Sequence, residues 1–135
     1  MGNLWDAIKD ALNTIWEEAK KLFKNLWDRI VYWASKATEA MEKIVRDTFN
    51  LAKDIVVQVG TFIENIGNGL YIIYKKVYYN SNGVWSQVVP NKNEKNGLII
   101  QTIPESEVPD WAKTTTINRP LDITKRDELI LSHSH

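Results

Sequence analysis

Three acidic side chains, Glu105, Glu107 and Asp110, stand close enough in sequence for paired carboxylates to divide acid and base work between them. His133 and His135 flank Ser134 near the end of the chain, and two imidazoles at that spacing could contribute to a metal site. Tyr71, Tyr74, Tyr78 and Tyr79 interleave with Lys75 and Lys76, the mixture of rings and amines on which nucleic-acid bases stack.

None of these groups has the companions its chemistry needs. No nucleophile, imidazole base or glycine-rich phosphate loop neighbours the three acids, so they read as loop residues and no catalytic residue is assigned. The histidines fall on a chain terminus, where a solvated tail is the expected state, so neither a metal nor a cofactor is expected. Seventeen basic residues balance seventeen acidic ones, and residues 1–66 carry nine against ten. Nucleic-acid binding needs clustered positive charge and is not expected, which leaves cross-strand pairing as the account of the tyrosines. With no cysteine in the chain, disulfides and thiolate chemistry are excluded. No small-molecule substrate is evident, and the chain reads as a non-enzyme.

At 135 residues, 44% of them hydrophobic and 25% charged, the sequence has the length and composition of one folded domain. Cut from Leu4 in steps of eleven, its first half aligns as LWDAIKDALNT, IWEEAKKLFKN, LWDRIVYWASK, ATEAMEKIVRD, TFNLAKDIVVQ and VGTFIENIGNG. The first, second, fifth, eighth and ninth columns are apolar at 26 of 30 positions and the other six at 7 of 36, so an amphipathic helix is predicted over residues 4–66. A seven-residue repeat from the same start meets Glu18, Asn25, Arg29 and Lys36 where apolar groups belong, and fails. Eleven residues over three turns favours a right-handed supercoil. No Pro or Gly interrupts the chain between Asn3 and Val59, which predicts a nearly continuous helix about 85 Å long at about 1.5 Å per residue. Gly60, Gly67 and Gly69 mark its expected end.

The stripe comprises Leu4, Trp5, Ile8, Leu12, Ile15, Trp16, Leu22, Phe23, Leu26, Trp27, Ile30, Trp33, Met41, Ile44 and Val45, and it cannot be left in water. These residues are the candidate interface, towards other copies of the chain or towards lipid, with folding back near Ala34-Ser35-Lys36 as the third way to cover them. The apolar arc spans roughly 130°, wider than the seam of a two-stranded coil, and suits a larger bundle or a flat apolar surface. Acidic residues Asp6, Glu17, Asp28 and Glu39 lie opposite the stripe, with Lys9, Lys20, Lys53 and Arg29 at its edges. In period and charge layout this half resembles the 11-residue helices of apolipoproteins and synucleins, a likeness that implies a lipid-surface role; it departs from them in carrying Trp5, Trp16, Trp27 and Trp33. Hendecad coiled coils of surface-layer stalks share the period, and imply an oligomer.

After Gly69 the period changes. Leu70–Tyr79, Val84–Val89 and Leu98–Ile103 are rich in β-branched and aromatic residues, and Asn80-Ser81-Asn82-Gly83 is a turn signal. They predict a three-stranded antiparallel meander. Trp111 is expected to cap the sheet, and Leu121–Leu131 to add a last strand or, with Thr124 as N-cap, a short helix.

The fold class expected is therefore α+β: a long N-terminal amphipathic helix with an 11-residue (hendecad) repeat, then a small antiparallel β module of three to four strands over residues 69–132. Its function is expected to be assembly into a homo-oligomer through the tryptophan-lined stripe, or peripheral binding to a lipid or membrane surface, with pore formation as a variant of the latter. Ile55–Tyr74 contains Gln58, Glu64, Asn65 and Asn68 and is too polar for a confident span. The charged first residues show no secretory signal, so the expected location is cytoplasmic, at most peripheral to a membrane.

Overall fold

A computed structural model describes residues 2–88, 98–114 and 116–126 of the chain. It is α+β: helices α1 (Gly2–Leu22) and α2 (Leu26–Thr48) precede strands β1 (Val57–Gly67), β2 (Leu70–Ser81), β3 (Val84–Val88), β4 (Leu98–Pro104) and β5 (Leu121–Asp122). Short 3-10 turns follow β4 and β5.

The single long helix expected over residues 4–66 is corrected to a helical hairpin that ends at Thr48. Its break lies at Phe23–Asn25, not near Ala34-Ser35-Lys36. Asn25 is extended at φ −79° and ψ 132°, and its side-chain oxygen accepts the N–H groups of Trp27 and Asp28, so it starts a second helix as an N-cap. Arg29 reaches back to the end of α1, donating from Nε to the Phe23 carbonyl at 2.7 Å and from Nη2 to that of Lys24 at 3.0 Å. Those are carbonyls a helix end leaves without partners. Helices joined by so short a link pack antiparallel, as the cross-contacts confirm: Tyr32 Oη donates to Glu18, and farther along α2 the Trp33 indole N–H donates to the earlier Leu12 carbonyl at 3.0 Å.

Asn50 closes α2. At φ 50° it takes the left-handed conformation, letting its own N–H return to the Asp47 carbonyl and that of Leu51 to the Arg46 carbonyl. This is the paired-bond ending in which Asn substitutes for Gly. From Val57 onward an alternation of two takes over, with Val59, Thr61 and Ile63 buried, and the β-branched side chains suit a strand. Gly67 and Gly69, expected to end a helix, instead flank a hairpin turn: Asn68 and Gly69 have φ of 57° and 73°, and the ladder carries a bulge between Asn65 and Gly67. Asn82-Gly83 repeats the turn between β2 and β3 with φ of 54° and 81°. Both are the Asn-Gly form that matches strand twist.

The expected meander is also corrected, because β4 pairs with β2 rather than with β3. The five residues of β3 cover Val77–Ser81, leaving Leu70–Lys75 of β2 open for β4 along the same side. On the other side of β2 lies β1, and β5 extends the sheet beyond β1 at Phe62 and Ile63 only. The last strand or helix expected to reach Leu131 is described as far as Arg126: β5 is two residues long, and Asp122 rather than Thr124 caps the turn after it, accepting the Thr124 N–H at 2.9 Å.

Two apolar clusters join the layers. One gathers Ile8, Leu12, Ala19, Trp33, Ala37, Met41 and Val45 of the helices with Val59, Val77 and Val88 of the sheet. The other gathers Ile30, Ile63, Tyr71, Ile73 and Ile103 with Val108 and Ala112 from the segment after β4. Between helix and sheet the amine of Lys75, fully buried, donates to the hydroxyls of Thr38 and Thr61 at 2.6 Å each. Those bonds offset the cost of removing an amine from water, and they explain why a threonine interrupts the apolar second column at position 38.

Candidate interaction surfaces

The helix residues that form the apolar stripe meet partners within the chain. Ile8, Leu12, Ile30, Trp33, Met41 and Val45 are buried. Leu4, Trp5, Ile15, Trp16 and Ile44 are partly buried against the first cluster, and Leu26 and Trp27 against the second, which Trp16 also touches. Phe23 is half-buried beside Tyr32, their ring centroids 5.4 Å apart. Leu22, at the hairpin bend, is the one member of the set that stands in solvent, at 57% exposure. The wide arc therefore divides: α1 packs on α2, and α2 meets both α1 and β1.

Trp111, expected to cap the sheet, instead meets the start of α2. Its ring lies edge-on to Trp27 at 5.9 Å and it remains 37% exposed. Of the tyrosine and lysine cluster, Lys75, Tyr71 and Tyr74 are buried, while Lys76, Tyr78 and Tyr79 are half-buried. Tyr71 Oη donates to the Thr114 carbonyl and accepts the Thr114 N–H, tying the segment after β4 to the sheet. Burial, then the carboxylate of Glu64 that accepts its hydroxyl, raise the pKa of Tyr74 well above the ordinary phenol value. Desolvation and Glu18 raise that of Tyr32 in the same direction. Glu105, Glu107 and Asp110 are exposed, and the Asp110 carboxylate lies 3.5 Å from the Lys113 amine. Among the described residues no cluster of three or more His, Asp or Glu could hold a metal ion; His133 and His135 lie outside them. No described helix is long and apolar enough to cross a membrane.

Four further exposed apolar side chains sit at the end of the sheet where β1 starts and the β2–β3 hairpin turns, while Ile117, 55% exposed, stands apart from them near Gly67. Val84 is 63%, Val56 51%, Trp85 48% and Phe49 39% exposed. They share this end of the sheet but not one face: Trp85 pairs opposite Asn80, while Val84 points to the other face, where Phe49 meets Tyr79. Trp85 and Val56 line a cleft of roughly 430 Å³ with Ala52, Ile55 and Asn80, and the Asn80 N–H donates to the Val56 carbonyl. Phe49 stacks on Tyr79 at 5.0 Å, and Tyr79 pairs with Val57. The helical period hid this group, since Phe49 and Val56 occupy apolar columns of the repeat; the signal that could have found it is the exposed hydrophobic pair Val84-Trp85 directly after Asn82-Gly83.

A second cleft, roughly 540 Å³, opens on the far side of β1, lined by Gln58, Val59, Gly60, Phe62, Tyr78, Asp122, Thr124 and Lys125. Phe62 and Tyr78 supply aromatic surface, and the Lys76 amine sits 5.1 Å from the Phe62 ring centre. Gly60 keeps this floor open: a Cβ there would come within 3.0 Å of the Phe62 ring and 3.5 Å of the Thr124 hydroxyl.

No protein family, curated protein or solved structure matches this chain.

Proposed function

We propose that this chain is a non-enzymatic interaction protein, cytoplasmic or peripheral to a membrane, that associates with further copies of itself through the apolar end of its sheet. The observation that carries the reading is the cleft lined by Val56 and Trp85, each about half exposed, with Phe49 and Val84, also more than a third exposed, at the same end of the sheet. An exposed tryptophan beside a cleft is an ordinary anchor for the energetic centre of a protein contact. β3, the outermost strand of its side among the described residues, adds Val84-Trp85-Ser86-Gln87-Val88, a sequence without the charge or proline that usually blunts a sheet edge. The helical stripe supports the same assembly indirectly, by fixing the sheet from behind.

Sedimentation velocity over the micromolar range tests the proposal. A mass that rises with concentration is expected, and a sharp monomer at every concentration contradicts it.

The alternative partner for the same surface is lipid, favoured by Trp85 at a hairpin tip, since tryptophan settles at membrane interfaces. Flotation with neutral and with anionic vesicles decides: co-flotation with a blue shift in tryptophan emission supports lipid, and no co-flotation removes that alternative.

A further inference from the structure

We propose that the cleft at the start of β1 is a saccharide site, taking a neutral pyranose that stacks on Trp85 and is held at its rim by Asp54, Asn80 and Asn82. The cleft belongs to the sheet end proposed to join copies of the chain, but sugar binding does not rest on that association. A monomer holds every lining residue.

The first ground is the kind of side chains that meet. A pyranose carries C–H groups on its faces and hydroxyls around its edge, so its site needs a flat apolar platform beside groups that donate and accept hydrogen bonds. Trp85, 48% exposed, is the platform. It pairs opposite Asn80 across β2 and β3, so the two side chains leave the hairpin on one face. Ile55 and Val56 add apolar wall, while Asp54, Asn80 and Asn82 supply the polar rim. An amide donates and accepts, and a carboxylate accepts from two hydroxyls at once, which is what neighbouring hydroxyls on one ring require. Among the described residues, the Asp54 carboxylate, the Asn82 amide and the Trp85 indole N–H form no hydrogen bond or ion pair, so each is available to a ligand.

The second ground is that the site is held in shape without a ligand. The Asn80 N–H donates to the Val56 carbonyl at 2.9 Å and the Ile55 N–H to the Ala52 carbonyl at 3.1 Å, which fixes the segment before β1 against the hairpin. The Gly83 N–H donates to Asn80 Oδ1 at 3.1 Å and leaves Asn80 Nδ2 as the donor. A site ordered in advance loses little binding energy to ordering. Its volume, roughly 430 Å³, gives room for a mono- or disaccharide. Among the described residues no Lys, Arg or His lines it, and Asp54 makes it negative, which favours a neutral sugar over an acidic one.

The probe is methyl β-D-glucopyranoside, whose equatorial hydroxyls leave both ring faces to C–H groups, titrated into the full isotopically labelled chain and followed by amide NMR. Saturable shifts of the Trp85 indole N–H and the Asn80 and Asn82 side-chain amides are expected. The dissociation constant should be on the order of 1 mM, ordinary for so small a ligand. The corresponding methyl glucuronide, which brings a carboxylate towards Asp54, should bind more weakly. Asp54→Ala should weaken the glucoside roughly tenfold, as loss of a hydrogen bond to a charged group does, and Trp85→Ala should abolish binding. Both residues are exposed, and the same spectra show that the variants stay folded. The proposal is overturned if the glucoside causes no saturable shift at Trp85, if cyclohexylmethanol binds as well as the glucoside, or if Asp54→Ala leaves glucoside binding unchanged. Sedimentation without sugar reads self-association separately, so either reading can fail while the other stands.

Discussion

Trp33 shows how far one side chain can bind two layers together. Its ring is 1% exposed inside the cluster shared by both helices and the sheet, and its N–H satisfies the Leu12 carbonyl on the neighbouring helix. Replacing it with Ala removes the ring and leaves a cavity, a change that costs about 3–5 kcal/mol in packed cores. Chemical denaturation of Trp33→Ala should therefore show a loss of that size, a large share of the whole stability of a domain of this length. Tyr74 provides a pH signature. Its phenol is held protonated in the fold, so the folded chain binds that proton more tightly than the unfolded chain. The resulting stabilisation is complete below the ordinary phenol value near 10 and is lost as pH climbs above it towards the raised folded value. Tyr74→Phe should flatten the alkaline fall in stability above pH 10, read by denaturation midpoints across that range.

At the scale of elements, two asparagines set the helices and two Asn-Gly pairs set the strands. Asn25→Ala should cost about 1 kcal/mol, as the loss of an N-cap generally does, and thermal unfolding would measure it. Gly83→Ala adds a Cβ that meets nothing within 4 Å, so its cost is purely conformational at φ 81°, about 1–2 kcal/mol by denaturant titration. These elements also mark the limits of reading the sequence. The amphipathic face of the helices and the strands at Leu70, Val84 and Leu98 were legible from apolar spacing and β-branched content. The break at Asn25 was not, because Asn25 falls in a polar column and the apolar pattern resumes in step at Leu26. A cap leaves no gap in the period. The end of α2 was masked in the same way: Asn50 is one more polar residue on the helical wheel, and Val57–Gly67 continues the apolar columns while its alternation of two commits it to a strand. Local propensity and the β2 partner outweighed the helical period there.

For the whole molecule the consequence is a change in which surface is left over. A continuous helix would have exposed Trp5, Trp16, Trp27 and Trp33 to an outside partner; the hairpin packs them against the chain's own two apolar clusters and leaves Phe49, Val56, Val84 and Trp85 exposed at one end of the sheet. The Val84-Trp85 pair after Asn82-Gly83 is the one local signal of it in the sequence, since exposure follows from how the helices and the twisted hairpin meet. Leu22 is the useful control, equally apolar and similarly exposed but at the opposite kind of site, the helical bend. The most direct test of the account is sedimentation equilibrium of the wild-type chain beside Trp85→Lys and Leu22→Lys. Concentration-dependent association in the wild type and in Leu22→Lys, abolished in Trp85→Lys, is the predicted result; association that survives Trp85→Lys, or that is lost in Leu22→Lys instead, would contradict it.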